Sequence, residues 1–168
     1  MRKKHIGKKR KLHRNKVPPM RCPYCGRQIV LRSADEIYHE NPNHTMLYVC
    51  SRYPKCDAYA RVVPGTKSPV SALANKSLRM LRSQAHYYFN QIFQYGLLTK
   101  TEAYSWLAAV LDLPSEEAHI GFMREARCLQ VIEKSKEYLI NNHIDPEALK
   151  KRKVGNLNEN DKRAKKVS

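Results

Sequence analysis

No run of the 168 residues is apolar for long enough to cross a bilayer, and the opening Met1-Arg2-Lys3-Lys4-His5 lacks the apolar stretch of a secretory signal. These absences predict a soluble, cytoplasmic protein with no membrane partner. Signatures of catalysis are missing as well. Asp35-Glu36 and Glu116-Glu117 are isolated acidic pairs with no further carboxylate at metal-ligand spacing, and no Walker loop, dinucleotide fingerprint or nucleophile elbow occurs. The chain therefore reads as a non-enzyme. It has no internal repeat, and acidic residues are outnumbered 15 to 32 by Lys and Arg.

What is present is a set of four cysteines in two close pairs, Cys22-Pro-Tyr-Cys25 and Cys50-Ser-Arg-Tyr-Pro-Lys-Cys56. Zinc takes four soft thiolates at about 2.3 Å, and two such turns supply them. The same four cysteines could form two disulfides in an oxidising compartment, but nothing else in the chain points there. The spacing predicts one structural Zn2+ held by Cys22, Cys25, Cys50 and Cys56. Four thiolates leave no open position for a catalytic water. Binding of the ion contributes about 10 to 16 kcal/mol in small zinc modules, enough to fold a segment that buries little apolar surface. His39 and His44 lie between the pairs, but the four sulfurs already complete the shell.

Short strand signals surround the ligands: 28–31, 46–49 running into Cys50, and 58–63 after Cys56, with Asn41-Pro42-Asn43 as turn chemistry. Helical periodicity follows. Leu78, Leu81, Ala85, Phe89 and Ile92 share a face between Asn75 and Gly96; Thr99-Lys100-Thr101-Glu102 is a capping-box pattern before Ala103, Trp106, Leu107 and Val110; Cys128, Val131, Ile132, Ser135 and Leu139 mark a third helix. The expected fold class is α+β, a small three-stranded, four-cysteine zinc ribbon followed by a three-helix module with disordered basic tails. The expected divisions are a basic arm at 1–16, the ribbon at 17–63, a turn-rich linker at 64–74, the helical module at 75–145 and a basic C-terminal tail at 146–168.

Charge is concentrated at the ends. Residues 1–16 hold nine Lys or Arg and no acid, and residues 150–168 hold eight basic and two acidic side chains, so the formal +17 sits almost wholly in the tails. Such runs repel themselves and favour a polyanionic partner. The arm, with Lys3, Lys4, Lys8, Lys9, Arg10 and Lys11, predicts contact with nucleic acid. In the ribbon, tyrosines interleave with cations, and Tyr24, Arg52, Tyr53, Lys55 and Arg61 are the candidates for stacking on unpaired bases and holding phosphates. Packing is the competing role for Tyr48 and Tyr59. Arg79, Arg82 and His86 form a basic stripe on the first helix, turned away from the Leu78 face, which predicts a further phosphate grip at Arg79 and Arg82. His86, His119 and Cys128 read as residues between or beneath helices.

The strings CPYCGRQIVLR and LYVCSRYPKC resemble the zinc ribbons at the C-terminal end of type IA DNA topoisomerases, although no toprim carboxylate cluster or tyrosine nucleophile accompanies them. A longer likeness, over residues 21 to about 132, runs through PGTKSPVSALANKSLRMLRSQAH, AYSWLA and HIGF. On it the chain resembles a zinc-finger-containing family of unknown function from bacteriophage and bacterial genomes. That resemblance implies the cytoplasm of a bacterial or phage-infected cell and a nucleic-acid-related setting, without a defined activity. Two readings follow: a non-catalytic zinc-ribbon protein binding DNA or RNA nonspecifically, with single strands among its candidate ligands, and an adaptor docking on a polymerase, ribosome or other nucleoprotein machine.

Overall fold

A computed structural model describes residues 21–148. The basic arm with Lys3, Lys4, Lys8, Lys9, Arg10 and Lys11 lies outside them, as do residues 149–168 of the basic tail. The architecture is α+β, with three short strands followed by three helices. The chain divides into two compact units, one ending at Lys76 and the other beginning at Ser77.

In the first unit β1 (Ile29–Ser33), β2 (Met46–Cys50) and β3 (Tyr59–Arg61) form an antiparallel sheet in that order. Ile29 lies opposite Cys50, Leu31 opposite Tyr48, and Tyr48 in turn opposite Ala60. Successive side chains of a strand leave opposite faces, so β2 serves two small cores. Tyr48 and Cys50 join Cys22, Ala58, Ala60 and Leu73 on one face. Leu47 and Val49 join Ala34, Ile37, Tyr38, Tyr53 and Tyr59 on the other. Between β1 and β2 the Asn41 amide oxygen accepts from the Thr45 backbone N–H at 2.7 Å, a side-chain turn of the kind asparagine favours.

Residues 64–74, expected as a linker, instead fold back along β3. Tyr59 and Ala74 exchange backbone hydrogen bonds at 3.1 and 3.2 Å, and the Val70 N–H donates to the Arg61 carbonyl at 2.8 Å. Leu73 and Ala74 are buried. The outer edge of β3 presents backbone groups that need partners, and the turn at Pro64-Gly65, with Gly65 at φ +71°, brings the chain back to supply them. The ribbon therefore extends beyond Val63.

The second unit contains α1 (Lys76–Gln94, entering from the first unit), α2 (Lys100–Val110) and α3 (Glu125–Asn141). Leu78, Ala85, Phe89 and Ile92 of α1, Ala103 and Leu107 of α2, and Cys128, Val131, Ser135 and Leu139 of α3 are buried. Arg82 and Gln91 are buried with them, whereas Leu81 is half-buried and Val110 is exposed. The capping box at Thr99 is formed in both directions: its hydroxyl accepts from the Glu102 N–H, and the Glu102 carboxylate accepts from the Thr99 N–H at 2.8 Å. All three helices end alike. Gly96, Asp112 and His143 take positive φ of 72°, 50° and 60°, and Leu97, Leu113 and Ile144 donate back to Ile92, Ala108 and Leu139, which closes each last turn in a Schellman motif. The unit continues past residue 145: Pro146 is buried and its carbonyl accepts from the Gln91 amide at 3.1 Å. Among the described residues no helix is long and apolar enough to cross a membrane.

Candidate metal centre

Two turns carry the cysteines to one end of the ribbon. The first is bounded by an antiparallel bridge between Arg21 and Gln28 and tied by the Gly26 N–H to the Cys22 carbonyl at 2.9 Å. Gly26 sits at φ +70°, a left-handed conformation that side chains resist. The second starts at the end of β2, where the Tyr53 N–H donates to the Cys50 carbonyl at 2.9 Å and the Cys56 N–H to the Arg52 carbonyl at 3.1 Å. Its Tyr53–Pro54 peptide is cis.

The Cys22 and Cys56 sulfurs are 3.7 Å apart, those of Cys25 and Cys50 3.3 Å, and all four lie within 4.8 Å of one another. An S–S bond is about 2.05 Å long, so these are free thiols. Four ligands about 2.3 Å from a tetrahedral ion would stand about 3.8 Å from each other. The cluster has the dimensions of a thiolate shell around zinc, and its donor chemistry is all sulfur. It is the site of one structural zinc ion.

Backbone amides prepare the sulfurs for the metal. The N–H groups of Arg27, Arg52 and Ala58, each two residues past a ligand, donate to the sulfurs of Cys25, Cys50 and Cys56. For Cys25 this bond dominates and pulls the thiol down to about 7. For Cys50 burial dominates and pushes it up to about 12, and burial raises Cys56 as well. A bound cation overrides that burial cost, because a coordinating thiol is deprotonated by its metal. Leu73, Ala58 and Ala60 pack around the sulfurs and exclude water from one side of the shell.

A family model described as a zinc-finger-containing domain, of unknown function, matches residues 18–138 and includes both cysteine pairs. The chain belongs to that family. No curated protein and no solved structure matches it.

On this zinc-finger-containing protein the other candidate residues are dispersed. Tyr24, Arg52 and Lys55 lie in the two turns that hold the metal and are exposed, as are Arg21 and Arg27 beside them. Arg61 is exposed too, but it ends β3 opposite Leu47, away from the metal end of the sheet. Tyr53 is half-buried and packs on the Ala34, Leu47 and Val49 cluster. Tyr48 donates its hydroxyl to the Lys67 carbonyl at 2.8 Å, and Tyr59 meets Tyr38 edge-on at 6.2 Å, so both have packing roles.

The basic stripe on α1 is not uniformly exposed: its middle member, Arg82, is buried. Arg79 is half-buried. Arg82 is only 7% exposed and donates from Nε and Nη2 to the Met123 carbonyl. The segment Ile120–Phe122 forms a 3-10 turn ending at that carbonyl, which needs a donor where it is buried, and Arg82 provides it. One further residue escaped notice in the sequence. Asp57, adjacent to Cys56, accepts from the Lys76 N–H at 2.7 Å, one of the unpaired donors at the start of α1. An acid following a zinc ligand was the available signal, but nothing in the sequence paired it with Lys76.

Proposed function

We propose that this protein is a non-catalytic nucleic-acid-binding accessory factor whose zinc ribbon presents a cationic end to a polyanion, with the basic termini adding phosphate contacts. The observation that supports this most is the state of the cations around the metal. Arg27, Arg52 and Lys55 are exposed and make no ion pair with a described residue, whereas Arg32 is paired with Glu36 at 3.2 Å and Lys134 with Glu137 at 2.9 Å. The one acid beside the ligands, Asp57, is turned to the Lys76 backbone. Asp35 and Glu36 lie just past the end of β1, at the opposite end of the sheet. Cations left unpaired at one end of a rigid module suit phosphate, where binding releases condensed counterions.

The test is a titration of the zinc-loaded chain with labelled single-stranded DNA, duplex DNA and structured RNA at several salt concentrations. Affinity should fall linearly in log salt, with a slope of about −0.7 per phosphate on single strands and −0.9 on duplex. No binding at low salt would overturn the reading. A second reading, an adaptor for a polymerase, ribosome or similar machine, draws on Leu129 and Ile140, 56% and 60% exposed on α3. Nucleic-acid affinity that vanishes on deleting residues 1–16 would favour that adaptor.

A further inference from the structure

The ribbon has five tyrosines and no other aromatic ring of the Phe or Trp kind. Four of them are committed to the fold: Tyr38 and Tyr59 to each other, Tyr53 to the Leu47 and Val49 cluster, and Tyr48 to the Lys67 carbonyl. Tyr24 is different. It sits between the ligands Cys22 and Cys25, is 39% exposed, and has no hydrogen bond or ring contact with a described residue. Its backbone is held by a metal ligand on one side and by Pro23 next to another, so the ring is carried on a rigid turn.

Three unpaired cations share the metal end of the ribbon with it. Arg27 follows Cys25 by two residues, Arg52 follows Cys50 by two, and Lys55 precedes Cys56 by one. The four sulfurs lie within 4.8 Å of one another, so the two turns that carry these three cations and Tyr24 meet at the metal site. Arg21 is fastened across the same turn by a hydrogen bond from Nη1 to the Gly26 carbonyl at 3.2 Å. An exposed aromatic ring on the same end of a rigid module as several exposed cations is suited to a single strand, one base on the ring and the neighbouring phosphates on the cations. In a duplex the base faces are already stacked on one another and are closed to the ring.

We propose that the metal end of the ribbon is a binding site for single-stranded nucleic acid, in which one unpaired base stacks on Tyr24 and Arg27, Arg52 and Lys55 hold the flanking phosphates. This deepens the nucleic-acid reading above and rests on it. Because stacking does not depend on sequence, the site takes any base, in DNA or RNA.

The experiment uses the zinc-loaded full chain and its Tyr24→Ala and Tyr24→Phe variants, each checked for one equivalent of zinc. They are titrated with a short labelled oligonucleotide as single-stranded DNA, single-stranded RNA, duplex, and a single strand with abasic sites. Tyr24→Ala should weaken single-strand binding about 5- to 150-fold, the equivalent of one stacked base, and Tyr24→Phe should retain it. Duplex and abasic affinities should be the same for all three proteins. The ratio of wild-type to Tyr24→Ala affinity should also be equal at about 50 and 200 mM salt, since a stack releases no counterions. A Tyr24-dependent preference on either the DNA or the RNA strand supports the site.

Salt-sensitive binding that is indifferent to Tyr24 overturns this inference and leaves the broader reading standing; absence of binding to every oligonucleotide removes both. If Tyr24→Ala fails to take up zinc, the wild-type comparison of intact and abasic strands decides alone, and equal affinity for the two overturns the site.

Discussion

The guanidinium of Arg82 donates twice to the carbonyl oxygen of Met123, from Nε at 2.9 Å and from Nη2 at 2.8 Å. A side chain placed by charge alone on the surface of α1 thus anchors the segment leading into α3 from beneath. Removing it leaves a buried carbonyl without these donors. Arg82→Met should therefore lower the stability of the helical unit by about 2 to 4 kcal/mol, in the range for losing a charged, buried hydrogen-bond partner. Urea denaturation followed by helix circular dichroism measures the loss. If the protein binds nucleic acid as proposed, the salt dependence of that binding should be unchanged by this substitution, because Arg82 is buried.

Burial sets the pH response of a neighbour. His86 is held below its usual value first by burial and then by the positive charge of Arg82. For a base, a lowered folded value means that the unfolded chain takes up the proton first. Stability is then unaffected well above the unfolded value of about 6.5 and declines as pH falls through it. The urea midpoint of the helical unit should drop between pH 7.5 and pH 5, and His86→Gln should flatten that drop.

Removal of zinc should unfold one unit and spare the other. A chelator, or Cys22→Ser with Cys56→Ser, should abolish stoichiometric zinc and unfold the ribbon, which has only two small clusters of apolar side chains to stabilise it. The helical unit contributes no ligand, so most of the helix signal should persist. Metal analysis alongside circular dichroism checks both parts.

Zinc uptake should be steeply dependent on pH. Without metal, Cys50 is raised to about 12 and Cys56 is raised as well, so near neutral pH both hold protons that the ion must displace. Lowering pH strengthens that competition. Affinity should fall by about 100-fold or more for each unit of pH, for at least two protons released. Calorimetry in buffers of different ionisation enthalpy counts the protons directly.

The metal centre was readable because ligand spacing is local: each pair of cysteines lies within a single turn, and zinc brings the pairs together. The capping box at Thr99 and Glu102 and the stop at Gly96 were legible for the same reason, since every partner is a few residues away. Arg82 was not. Leu78, Arg82, Ala85 and Phe89 fit a helical face as well as Leu78, Leu81, Ala85 and Phe89 do, and only the Met123 carbonyl, 41 residues away, decides between them. The stretch 64–74 misled in another way. Its prolines and Gly65 read as a linker, while Leu73 and Ala74, the apolar signal for packing, stood too close to α1 to be credited to the ribbon. Tyr53 could not be told from Tyr24 in the sequence, since each is next to a proline in a metal-bearing turn; only packing distinguishes them.

Cys50 is both a ligand and the last residue of β2, in the same row as Ile29. If β2 slipped by one residue, its sulfur would leave the other three and Leu47 and Val49 would exchange sides with Tyr48. The ion thus proofreads the pairing: only a correctly aligned hairpin can be locked, and misaligned ones stay open to rearrange.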